Sequence, residues 1–227
     1  MAEQFISERN LSFLLYEVFN AESLLNYSRY ADHSREVFDM VLKTAMKMGK
    51  DLFKPIVSEM DKQPPEYVKG QVKVHPAVRN IMREVGAGGW IGATFDYKLG
   101  GQQLPEMVGM TIPTAIFGAA NYSASVFHGL TNGAAGLIAS FGTQEMKDMY
   151  LPKMMSGEWQ GTMALTEPQA GSSLTDVSMT AEPTNKNYYT MKGQKIFISA
   201  GDHDGVDNII HLALARVKDA PPGVKGI

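Results

Sequence analysis

Residues 163–173 gather the side chains best suited to hold a polar ligand: Met163, Leu165, Thr166, Glu167, Pro168, Gly171, Ser172 and Ser173. An apolar strand runs into a turn here. Pro168 fixes one backbone torsion, and Gly171 lets the main chain pass close to a neighbour. Exposed N–H groups and the hydroxyls of Thr166, Ser172 and Ser173 offer bonds to a phosphate or to the polar edge of a heterocycle. Taken alone, the cluster reads first as an ordinary strand-to-strand loop, because Gly, Pro and Ser gather in turns whatever their function.

Other chemistries have weaker support. The chain has no cysteine, which removes disulfides, thiolate nucleophiles and cysteine-ligated metals. His33, His75, His128, His203 and His211 are scattered, without the i, i+4 pairing or flanking carboxylates of a metal site. Each is expected to be solvated or to cap a turn, and His203 lies in the polar turn Gly201-Asp202-His203-Asp204. No serine has a nucleophile-elbow context and no G-x-G-x-x-G follows a strand, so neither a hydrolase nor a Rossmann site is supported.

The elements that must position the cluster change character near residue 158. From Ser34 to Ser58 the apolar residues Val37, Phe38, Val41, Leu42, Ala45, Met46, Leu52 and Phe53 make one helix stripe. Ser34 is its expected N-cap, and Pro55 marks a kink or an end. A second helix is expected from Pro76 to Gly86, followed by a glycine-rich loop to Leu104. Met107–Phe141 is almost wholly apolar, punctuated by Pro113 and Asn121, and reads as a helix pair in the middle of a bundle. Thr143 then caps a short helix ending around Pro152 to Gly157. After Trp159 the period becomes two, with strands expected at Gln160–Thr166, Thr175–Glu182, Tyr188–Lys192, Gln194–Ser199 and Asn208–Val217. The expected class is α+β: residues 1–157 all-helical, residues 158–227 a small β-sheet or β-barrel domain. The chain ends as a further strand begins, and a sheet with one unfinished edge suggests a piece of a longer chain.

Bulk properties bound the function. The 227 residues carry a net charge of −3, which gives no sign of a polyanion-binding surface, so no nucleic-acid partner is expected. Glu3, Glu8, Arg9 and Glu17 interrupt the N-terminus, against a signal peptide. No stretch approaches the roughly 20 apolar residues of a membrane span. With no cysteine, a cytoplasmic location is expected. The fifteen methionines are read as core first and pocket second. The Met107–Met110, Phe117 and Phe127 stripe is read as core, whereas small side chains at Gly129–Gly136 leave volume for a pocket.

Four motifs then fall in one order. Met163–Ser172 resembles the flavin-binding strand and loop of the acyl-CoA dehydrogenase family: an apolar strand, Thr-Glu-Pro, two variable residues, Gly-Ser and usually Asp. Gly193-Gln194-Lys195-Ile196-Phe197-Ile198-Ser199 resembles that family's second flavin strand. Tyr97-Lys98-Leu99-Gly100-Gly101-Gln102 is similar to the loop joining two N-terminal helices. Phe141–Lys147, with Tyr150-Leu151-Pro152 and Gly157-Glu158, is similar to the run into the β domain. The resemblance covers essentially the whole chain. It implies an N-terminal extension (residues 1–33, as in a longer subgroup), a helical domain (34–157) and a middle β domain (158–227).

The resemblance also implies roles. Met163, Leu165 and Thr166 would lie along the isoalloxazine of FAD, with Thr166 bonding its pyrimidine edge. Gly171 and Ser172 would approach the FAD pyrophosphate or the acyl-CoA, Phe197 would pack on the flavin, and Ser199 would donate toward N5. Two positions depart from the pattern: Ser173 stands where the family usually has Asp, and Phe197 where Trp is commoner. In the family a glutamate of the C-terminal helical domain takes the α-proton of the acyl-CoA while the β-hydride goes to flavin N5. No residue here matches that base, and Glu167 belongs to the loop pattern instead. The chain alone is therefore expected to contain no catalytic residue, to be inactive, and to hold FAD incompletely, since part of the flavin site comes from the C-terminal domain and a neighbouring subunit. The implied partners are an acyl-CoA substrate and an electron-transferring flavoprotein, within a full-length homodimer or homotetramer. An acyl-CoA oxidase or flavin monooxygenase on the same fold, or a non-enzymatic flavin-binding or nucleic-acid-associated relative, are the alternatives.

Overall fold

The computed structural model describes residues 5–227, so Glu3 lies outside the described residues. Ahead of the first long helix, α1 (Glu8–Ser12), a π turn (Phe13–Val18) and 3-10 turns at Ala21–Asn26 and Ser28–Tyr30 pack on the helical core. Leu11, Leu15 and Ala21 are their buried contacts. The Ser34 hydroxyl accepts the Val37 N–H at 3.4 Å and caps α2 (Arg35–Met48), whose buried stripe is Phe38, Leu42 and Ala45. A π turn (Gly49–Phe53) and a 3-10 turn holding Pro55 (Lys54–Ile56) lead into α3 (Val57–Lys62). The helical pattern thus tightens at the proline, where the backbone lacks a donor.

Contrary to the all-helical reading of this half, residues 5–157 include a pair of strands. β1 (Glu66–Val68) and β2 (Gln71–Lys73) form an antiparallel hairpin. Its turn residues Lys69 (φ 50°) and Gly70 (φ 86°) are both left-handed, as a tight two-residue hairpin requires. Five of its six strand residues are exposed, so no in–out alternation marks it in the sequence. Asp204 holds its second strand: Val74 N–H donates to Oδ1 at 3.0 Å, and the Asp204 N–H donates to the Val72 carbonyl at 3.1 Å.

Next come α4 (Ala77–Ala87), which buries Val78, Ile81, Met82 and Val85, and a turn-rich loop. A π turn (Met107–Thr111) leads into α5 (Ile112–Phe141). That helix breaks at Asn121, whose backbone is extended (φ −163°, ψ 95°). The buried Asn121 amide repairs the break. Its Nδ2 donates to the Phe53 carbonyl at 3.3 Å, and its Oδ1 accepts the Ala124 N–H at 3.1 Å. Thr143 caps α6 (Gln144–Met155) through a 3.2 Å bond from Met146 N–H.

The chief core lies among the helices, where Phe53 and Phe117 stack with centroids 4.8 Å apart. A second core of Ala134, Ala135, Ile138, Leu151 and Met154 meets Trp159, Ile210 and Leu212 and fastens the β half to α5 and α6. β3 (Trp159–Ala164) comes so close to α5 that a Cβ on Gly161 would stand 2.4 Å from the Ala134 Cβ. Thr131 serves both sides, donating to the Phe127 carbonyl at 2.8 Å and accepting the Gly161 N–H at 3.2 Å. Met82 and Met154 are fully buried, but Met40, Met146 and Met149 are exposed, so the methionines are only partly core.

The class is α+β, as expected, with two small sheets after residue 158. β3 pairs in parallel with β6 (Asn208–Ala213), from Trp159↔Asn208 to Ala164↔Ala213. In the other sheet β4 (Thr180–Pro183) lies between antiparallel β5 (Tyr189–Lys192) and parallel β7 (Arg216–Val217). The expected strand Asn208–Val217 is therefore split between sheets, and Thr175–Glu182 contributes only its last residues, from Thr180 on. The expected strand Gln194–Ser199 is not a strand. Gly193 enters it against Met179, with no room for a Cβ (2.7 Å), and Phe197 and Ala200 are left-handed at φ 57° and 49°. Ile196, Phe197 and Ile198 are β-favouring types, but no ladder pairs them. Among the described residues no helix is long and apolar enough to cross a membrane, and no group of three or more His, Asp or Glu could hold a metal.

Candidate functional site

The parallel ladder of β3 ends as Leu214 N–H donates to the Ala164 carbonyl at 3.1 Å. The chain then carries the half-buried Leu165 and Thr166 into a turn at Glu167–Ala170. Two backbone bonds close it, Glu167 N–H to the Ala170 carbonyl at 2.8 Å and Ala170 N–H to the Glu167 carbonyl at 3.1 Å. Pro168 occupies the second position, where its fixed torsion suits a turn.

Glu167 and Lys195 hold this turn from beneath. Their side chains retain 1% and 8% of their exposure, and Lys195 Nζ lies 2.9 Å from Glu167 Oε1. Lys195 Nζ also donates to the Leu165 carbonyl at 2.9 Å. The carboxylate accepts four further bonds: from the N–H groups of Ser178 (2.7 Å) and Met179 (3.0 Å), the Ser178 hydroxyl (2.9 Å) and Gln169 Nε2 (2.7 Å). Burial alone would raise the Glu167 pKa, yet the Lys195 ammonium and the Ser178 and Met179 donors outweigh it and hold it at about 2. A carboxylate so engaged is a structural anion and a poor proton acceptor.

The same pair brings two of the sequence segments together. Ile196 N–H donates to the Thr166 carbonyl at 3.0 Å, so Lys195–Ser199 runs beside Leu165–Thr166. Met163 lies half-buried in β3 opposite Leu212. Phe197 is 88% exposed despite its apolar ring and left-handed backbone, and Ser199 is exposed. Gly171 and Ser172 are exposed beyond the turn. A Cβ at Gly171 would meet nothing within 4 Å, so no neighbour in this chain accounts for a glycine there.

Sequence reasoning missed a buried polar pair under the second segment. His203 Nδ1 accepts the Gly205 N–H at 3.0 Å, which leaves Nε2 to donate to Gln160 Oε1 at 2.8 Å. Gln160 Nε2 donates in turn to the Ala200 carbonyl at 3.0 Å. His203 has the turn role expected of it, but it is buried, and burial lowers its pKa against Asp204 and Asp202. His75 caps α4 as expected, Nδ1 accepting the Ala77 N–H at 3.2 Å. His128 is neither solvated nor capping. It is 6% exposed, edge-on to Phe53 and Phe117, with Nε2 unpartnered, and burial lowers its pKa to about 4. Polar types at alternate positions of β3, Gln160 and Thr162, both buried, were the available signal.

Two clefts are lined in part by α5. One of about 450 Å³ is lined by Met110, Phe117, His128, Gly129 and Gly133, and the two glycines face open space. The Gly129–Gly136 stretch therefore does border a cavity, as its small side chains suggest. The other, about 600 Å³, lies between the β1–β2 hairpin and Ile198–His203, with Phe127 in its wall.

Comparison with known proteins agrees with this architecture. Residues 35–158 match the family model described as acyl-CoA dehydrogenase, N-terminal domain. A butyryl-CoA dehydrogenase of Syntrophomonas wolfei is 37% identical over 224 residues, covering 96% of this chain and 36% of that protein. A 3-methylmercaptopropionyl-CoA dehydrogenase of Ruegeria pomeroyi is 45% identical over 139 residues, 61% of this chain and 24% of that protein. Among solved structures, an acyl-CoA dehydrogenase of Geobacillus kaustophilus superposes with a TM-score of 0.67 at 27% identity, over 83% of this chain and 45% of that one. The chain thus spans less than half the length of these relatives. It belongs to the acyl-CoA dehydrogenase family.

Proposed function

We propose that this chain is the flavin-contacting portion of an FAD-dependent enzyme that desaturates an acyl-CoA thioester between its α and β carbons. The observation that carries this reading is the juxtaposition of Leu165–Thr166 with Lys195–Ser199 through the 3.0 Å Ile196–Thr166 bond. An exposed aromatic (Phe197) and an exposed hydroxyl (Ser199) lie on the second of these segments, close in sequence to that bond. These features fit a planar ring with polar edges. Met163, Leu165 and Phe197 supply apolar surface, while Thr166 and Ser199 supply hydroxyls. Gly171 and Ser172 face open space, where a phosphate could approach the main chain. FAD, when bound, supplies the acceptor for the substrate's electrons; these residues orient it and keep water from its face.

The cleft beside Gly129 and Gly133 suits an apolar acyl chain, since glycines leave volume where larger side chains would fill it. The domain division 1–33, 34–157 and 158–227 belongs to this reading, and the family model's span of 35–158 supports it. No residue of this chain is assigned as the α-proton base. Glu167, the acidic residue nearest the site in sequence, is held ionised by Lys195 and enclosed. The chain by itself is therefore proposed to be inactive, with an acyl-CoA as substrate, an electron-transferring flavoprotein as electron acceptor and homo-oligomeric assembly at full length.

FAD titration followed by flavin absorbance and fluorescence tests the reading. The intact protein is expected to bind FAD saturably, and Thr166→Ala or Ser199→Ala to weaken binding about tenfold, the size of one lost hydrogen bond to a ligand. Intact protein that takes up no flavin would overturn it.

A further inference from the structure

We propose that Glu167 and Lys195 are positioning residues: their buried ion pair sets the spacing between the two segments that meet the flavin. The inference rests on the flavin reading above and adds a role that neither side chain would have through direct contact.

The geometry is specific. Lys195 bridges the first segment twice, to the Glu167 carboxylate and to the Leu165 carbonyl, each at 2.9 Å. Its neighbour Ile196 makes the third link, N–H to the Thr166 carbonyl at 3.0 Å. Glu167 in turn binds the N–H groups of Ser178 and Met179, the approach to β4. Three stretches of chain remote in sequence therefore converge on one carboxylate. The region needs such a tie because Gln194–Ser199 lacks a strand ladder to fix its register. A hydrophobic replacement could fill the volume, but it could not aim three separate backbone segments at one point.

Breaking one partner leaves the other charge buried and unpaired, which costs more than removing both. Lys195→Met and Glu167→Gln should each weaken FAD binding about tenfold or more in the intact protein, a loss that corresponds to about 1.4 kcal/mol. The double variant should bind better than the sum of the single losses implies. Lys195→Arg, which keeps the charge, should retain more affinity than Lys195→Met.

Hydrogen exchange gives a readout independent of flavin. In each single variant the Ile196 amide should lose protection, while amides of α5 keep theirs. Wild-type protein that binds FAD, with single variants of equal affinity, would overturn the proposal and leave the flavin reading standing. Wild-type protein that binds no FAD would overturn the flavin reading instead. In that case an unchanged Ile196 amide in Lys195→Met and Glu167→Gln would overturn the spacing role as well.

Discussion

Glu167 and His128 are both buried titratable groups, and burial opposes the charged form of each. The outcomes differ because their partners differ. Five donors around Glu167 overcome desolvation and leave it ionised with a pKa of about 2. Nothing compensates His128, which lies among aromatic rings and stays neutral to about pH 4. Both pKa values are depressed on folding, so both contribute stability that is present above the unfolded value and lost as pH falls through the folded one. For Glu167 that loss runs from the ordinary carboxylate range near 4.5 down to about 2. For His128 it runs from about 6.5 down to about 4. Unfolding free energy measured against pH should therefore fall first between pH 6.5 and 4.5, by on the order of 3 kcal/mol when the His128 loss is complete. His128→Leu should flatten that limb, leaving the contribution of His203, whose pKa burial also lowers. An unchanged slope in the variant would contradict the assignment.

Strand β3 links the helices to the site, because it presents Met163 and leads into Thr166 while resting on α5. Gly161 permits that contact. Alanine there would place a methyl 2.4 Å from the Ala134 Cβ and 2.8 Å from Met154 Cε. Gly161→Ala is expected to destabilise by about 1–3 kcal/mol through overpacking, read as a lower denaturant midpoint with an unchanged slope. The helices were legible in the sequence, because caps at Ser34 and Thr143 and apolar stripes in α2 and α4 are local signals. The β1–β2 hairpin was not, since an exposed strand carries no alternation. Gln194–Ser199 misled for the converse reason. Its run Ile196-Phe197-Ile198 is β-favouring by residue type, but the left-handed Phe197 interrupts it and no ladder forms. The parallel pairing of β3 with β6 joins residues about fifty positions apart, and no local pattern encodes that.

Considered whole, the molecule places the segments proposed to contact flavin in a β region that packs on the helices through the second core and, at Val206, Ala200 and Ile209, on the chief core. The motif residues were readable from the sequence by type and order, while the Glu167–Lys195 pair that joins them emerged only with the fold. The arrangement supplies apolar surface and hydroxyls, and its enclosed carboxylate, Glu167, is held ionised by Lys195. Purified chain supplied with FAD, an acyl-CoA and an artificial electron acceptor is accordingly expected to show no turnover. Turnover under those conditions would mean that a base exists within residues 1–227. Where the flavin sits can be seen in a structure determined with FAD bound to the intact protein. The isoalloxazine edge is expected within hydrogen-bonding distance of the Thr166 and Ser199 hydroxyls, with the Phe197 ring covered; flavin bound elsewhere, with Phe197 still exposed, would overturn the proposed site.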